Sequence, residues 1–129
     1  MAFDNTSLTN IAKSIFGLAT DADAAKTLYL CTALDSTAGT FTVAGGTSSA
    51  SIVAGSFSVT NGALTNTADI SFTGITPCSI VGAVVADNAD AAIAKVKCFM
   101  PFATAATVDT TSDYIVLKAG DLDFALTNV

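Results

Sequence analysis

Carboxylates are the side chains in this sequence whose type and spacing come closest to chemistry. Aspartates recur in close pairs: Asp21 and Asp23, Asp87 and Asp90, Asp109 and Asp113, Asp121 and Asp123. Paired carboxylates can act as general acid and base, or can hold Ca²⁺ through oxygen ligands. Asp also collects at turns, where its side chain accepts hydrogen bonds from nearby backbone. None of the pairs completes a calcium loop with its central Gly and final Glu, so the pattern favours turns, with structural calcium and catalysis as alternatives.

Asp69 stands apart from these pairs, in the segment NTADISF. Its neighbours Ala68, Ile70 and Phe72 alternate with polar residues, which is typical of a strand that is half buried. The chain contains no His, and no Lys stands at a spacing that marks it as a partner for Asp69. We therefore predict that Asp69 lies on the solvent-facing side of a strand and has no catalytic role.

The residue types that are missing exclude several functions. The chain has no His, Trp, Arg, Glu or Gln, so every base is Lys and every acid is Asp. It therefore lacks the side chain that titrates near neutral pH, the commonest metal ligand and the bidentate fork that holds phosphate. A net charge of −6 and a pI near 4.1 also argue against nucleic acid. We predict a protein that is not an enzyme and that needs no cofactor or metal.

The cysteines and two of the lysines have ordinary structural interpretations. Cys31, Cys78 and Cys98 are widely spaced and odd in number, which favours small buried residues in a reduced cytoplasm over a disulfide. Lys95 and Lys97 lie two residues apart, so in a strand they share one face. We expect them to be solvated, to protect a sheet edge or to pair with aspartates of a neighbouring subunit.

The sequence shows no export signal or membrane span. Its first residues, MAFDNTSLTN, have neither a basic nor an apolar signal-peptide region. The longest apolar run, at 80–86, is much shorter than the roughly 20 residues that a spanning helix needs. We expect a protein made in the cytoplasm with no membrane partner.

One helix and a series of strands account for the hydrophobic pattern. Leu8, Ile11, Ile15 and Phe16 recur at helical spacing, which predicts a helix over residues 6–17. Alternating or continuous apolar patterns then predict strands at 26–34, 41–46, 51–60, 68–72, 79–87 and 93–100, and a hairpin at 114–126 that turns at Ala119-Gly120. We place 79–87 at the centre of a sheet and GGTSSAS, 45–51, at a flexible tip. The pattern predicts one domain, 1–129, that is mainly β: an antiparallel β-sandwich or jelly-roll-like barrel with one short N-terminal helix.

The apolar content predicts that part of the surface is covered by other subunits. Hydrophobic residues make up 51% of the chain and mean hydropathy is +0.61. A homo-oligomer, with trimeric symmetry expected, would cover such faces. The candidates for the interface are the apolar helix stripe and two aromatic residues near a strand end: Leu8, Ile11, Ile15, Phe16, Phe99 and Phe102.

The order of elements resembles a known group of proteins. An amphipathic helix is followed by LYLCTALD, by NTADISF, by a central apolar strand and by the terminal AGDLDFALTNV. This order is similar to the small all-β virion structural proteins of tailed bacteriophages, of the head-decoration or tail- and fibre-associated type, over most of the chain. The resemblance implies a structural protein of the virion, assembled in the host cytoplasm, that binds the major capsid protein or other virion proteins. We expect a capsid decoration or cement protein; the alternatives are a tail, neck or fibre module, or a host-surface domain that binds glycans.

Overall fold

The computed structural model describes residues 12–13, 16, 25–60, 63–94 and 97–125, and these residues are mainly β. The strands are β1 (Thr27–Asp35), β2 (Thr40–Val43), β3 (Ser49–Ser51), β4 (Phe57–Thr60), β5 (Ala63–Asn66), β6 (Ile70–Thr73), β7 (Cys78–Ala86), β8 (Lys97–Val108), β9 (Tyr114–Leu117) and β10 (Phe124–Ala125). The prediction of a mainly β chain is confirmed.

The strands of the described residues form three antiparallel sheets. The first has the order β2-β1-β7-β8, with β3 also paired to β1; the second is β10-β5-β4; the third is β6-β9. β7 lies between β1 and β8, and residues 82–86 of it are buried. The central position predicted for residues 79–87 is therefore confirmed. A strand that is paired on both sides and covered on both faces needs such a continuous apolar run.

The helix predicted over residues 6–17 falls mostly outside the described residues, and no helix is among the elements that the described residues form. Within that range, the amide of Phe16 donates to the carbonyl of Ala12 at 2.9 Å. Phe16 is 3% exposed, and its ring lies 6.2 Å from the ring of Phe124 in β10. This part of the N-terminal segment therefore packs into the core of its own chain.

The predicted strand bounds differ from the structure at several places. The predicted strand 51–60 is divided, because the amides of Ser56 and Phe57 both donate to the carbonyl of Val53 and turn the chain between β3 and β4. The predicted hairpin 114–126 is wrong: β9 pairs with β6 in the third sheet, whereas β10 pairs with β5 in the second. β8 continues to Val108, past the predicted end at residue 100.

Two apolar clusters lie on opposite faces of the first sheet. The larger cluster includes buried residues from all three sheets, among them Leu30 of β1, Leu64 of β5 and Phe72 of β6. The smaller cluster holds Cys31 and Val84, with Phe41 and Phe99 at its side. The first sheet is thus covered on both faces, which explains why β1 and β7 carry few polar side chains.

Residues 44–48 form a loop that leaves the sheet edge and returns to it between β2 and β3. Its neck is closed on Leu30, whose carbonyl accepts from the amide of Ala44 and whose amide donates to the carbonyl of Ser48, both at 2.9 Å. The loop's far side forms a bridge between Gly46 and Ile75, flanked by two hydrogen bonds to the 74–76 segment. The prediction of a flexible tip at 45–51 is therefore wrong, because the loop is bonded at both its neck and its far side and Ser49–Ser51 is strand β3.

The side-chain amide of Asn66 joins the second and third sheets. Asn66, at the end of β5, is 1% exposed. Its Nδ2 donates to the carbonyls of Ala68 (2.9 Å), Leu117 (3.2 Å) and Lys118 (2.8 Å), and its Oδ1 accepts from the amide of Leu122 at 3.1 Å. Since an amide nitrogen carries two protons, one proton is shared between two of these carbonyls. One buried side chain thus satisfies four backbone groups in and around the chain that turns from β9 into β10.

Asn66→Asp is expected to destabilise the fold by about 3 kcal/mol or more, because a carboxylate oxygen would face carbonyl oxygens that now accept hydrogen bonds. Chemical denaturation followed by circular dichroism measures the change. Asn88→Asp is the matched control, since it keeps the side-chain oxygen that accepts from the amide of Asp90. Equal stability of the two variants would contradict a central role for the Asn66 amide.

Gly46→Ala is expected to destabilise the fold by about 2–4 kcal/mol, for two reasons. Gly46 has a φ of 80°, and an added methyl group would run into the carbonyl oxygen of Gly74. Gly120→Ala separates the two effects, because Gly120 has a φ of 87° with nothing within 4 Å of the added methyl. It should lose only about 1–2 kcal/mol in the same denaturation experiment. Equal losses of stability in the two variants would show that the clash of the added methyl group with the carbonyl of Gly74 contributes nothing to the effect of Gly46→Ala.

Candidate functional site

One aspartate of each predicted pair that the structure describes lies at a turn and accepts hydrogen bonds from backbone amides. Oδ2 of Asp113 accepts from the amides of Asp109 (2.9 Å) and Thr110 (3.1 Å). Oδ2 of Asp121 accepts from the amide of Lys118 at 2.8 Å, and Oδ1 of Asp90 accepts from the amide of Ala92 at 2.9 Å. These bonds are the turn chemistry that the sequence favoured; Asp21 and Asp23 lie outside the described residues.

Asp69 has a cationic partner that its sequence position did not reveal. It lies just before β6, and its Oδ1 accepts from the amide of Ala119 at 2.9 Å while Oδ2 lies 3.5 Å from Nζ of Lys118. These bonds, the one to Ala119 first, lower the pKa of the Asp69 carboxyl. The prediction that Asp69 faces solvent is confirmed, but it stands outside the strand and fixes the turn that leads from β9 to β10.

The three cysteines are free thiols, of which Cys31 is buried while Cys78 and Cys98 are half buried. Cys31 is fully buried, and burial raises the pKa of its thiol to about 12. Burial also raises the pKa of the Cys98 thiol, with the charge of Lys26 acting in the opposite direction. Because the reactive form is the thiolate, neither thiol is suited to nucleophilic chemistry at neutral pH. Within the described ranges no three His, Cys, Asp or Glu side chains lie close enough to hold a metal ion.

The start of β8 is tied to the turn that joins β1 and β2. Nζ of Lys97 donates to the carbonyl of Gly39 at 2.9 Å, so this lysine is held against the sheet rather than extended from its edge. Phe99 lies with its ring centre 6.2 Å from that of Phe41, which in turn stacks on Tyr29 at 6.4 Å. Phe99 thus belongs to the smaller apolar cluster of its own chain; Lys95 lies outside the described residues.

An apolar groove of about 550 Å³ lies between β8 and β9. It is lined by side chains of both strands, chiefly Met100, Phe102, Ala103 and Ala106 of β8 and Ile115 and Val116 of β9. Among the described strands, β8 pairs with β7 alone and β9 with β6 alone, so each strand that borders the groove is at a sheet edge. The groove therefore offers apolar side chains together with backbone groups at two edges, a combination suited to binding protein.

The structure separates the predicted interface residues. Three of them lie outside the described residues: Leu8, Ile11 and Ile15. Phe16 is buried against Phe124, and Phe99 packs in the smaller apolar cluster. Phe102 is half buried and lines the groove. No local sequence pattern joins Phe102 with Ile115 and Val116, since the approach of β8 to β9 follows from long-range packing.

The hydrogen bonds of Asp113 predict a loss of stability in acid. These bonds lower the pKa of the Asp113 carboxyl below its ordinary value of 3.8, so its contribution is present above that value and is lost as pH falls through the folded pKa. Asp113→Ala should lower the urea midpoint near neutrality, and its difference from the parent protein should shrink as pH falls through the folded pKa. Asp109→Ala is the control, because it removes the neighbouring carboxylate but keeps both backbone donors. A difference that persists unchanged in acid would contradict this assignment.

Neither the hydrophobic pattern nor comparison with other proteins assigns a function to the groove between β8 and β9. No helix in the described parts of the chain is long and apolar enough to cross a membrane. No protein-family profile, curated protein or solved structure matches the chain.

Proposed function

We propose that this chain is a non-enzymatic structural protein that works by binding other proteins through the groove between β8 and β9. The specific role we propose is decoration of a tailed-bacteriophage head, in which the chain self-associates and contacts the major capsid protein. Its location is then the virion, assembled in the host cytoplasm. The order of sequence elements supports the phage assignment, and the groove supports the mode of action.

The groove is the observation that carries the proposal. It presents half-buried Phe102 and Met100 next to two strand edges, so a partner gains apolar burial and backbone hydrogen bonds at the same place. The aspartates, by contrast, accept hydrogen bonds from their own turns. The larger apolar cluster contains buried residues of all three sheets. This shared core supports a β-sandwich as the fold that presents the groove.

Copy number in purified particles tests the proposal. Quantitative mass spectrometry of virions, with the major shell protein as the internal standard, should find a decoration protein in many copies per particle. A few copies per particle would favour a tail, neck or fibre module instead. Absence from purified virions would overturn the structural assignment.

A glycan-binding domain is the second candidate, and Tyr114 favours it. Tyr114 is 67% exposed at the start of β9, directly after the 109–113 turn, and lies opposite exposed Thr73 of β6. An exposed aromatic ring beside a hydroxyl offers an apolar surface and a polar group to one ligand. Glycan-array binding that Tyr114→Ala abolishes and Val53→Ala leaves intact would establish this role; Val53 is also exposed, at 50%.

A further inference from the structure

We draw no further inference here: the strongest candidate, the apolar groove between β8 and β9 with Asp121 in its lining, carries nothing beyond the proposed function, because nothing in the structure shows what covers it.

Discussion

The fold depends on the four hydrogen bonds of the Asn66 side chain. They connect the end of β5 with the chain that leaves β9, so the second and third sheets are held at one buried point. Asp69 and Asp121 bond the outside of the same turn, through the amides of Ala119 and Lys118. The turn fixed in this way separates β9, which pairs with β6, from β10, which pairs with β5. β9 also borders the groove with β8.

The first sheet provides the other wall through its edge strand β8, and both faces of this sheet are covered by apolar clusters. The smaller apolar cluster, with Cys31 and Val84 at its centre, occupies the face that many β proteins leave to water. The turn after β1 reaches across to Lys97, so the beginning of β8 is fixed by contacts to its own chain. Farther along, the register between β7 and β8 shifts between Ile80 and Gly82, opposite the stretch that contains Phe102. This irregularity brings Ala103–Ala105 to the surface.

Local patterns predicted the strands whose alternation or continuity decides burial, such as β1 and β7. They did not predict β5, because its Thr and Asn residues are typical of loops, and only the tertiary structure shows that Asn66 is buried. The partner of Asp69 is separated from it by 49 positions in the chain, so no local spacing could reveal Lys118. The turn role of Asp113 and Asp121 follows from residue type alone, whereas the groove depends on which strands approach one another, which the sequence does not encode at short range.

The loop at 44–48 affects whether further molecules can be added to the edge of the first sheet. A sheet with two open edges can add molecules at both, and repeated addition gives a fibre. In this protein the neck on Leu30 and the bridge between Gly46 and Ile75 obstruct one edge of the first sheet. Addition of strands to the first sheet is then directed to its β8 edge, so growth through both edges of this sheet is hindered.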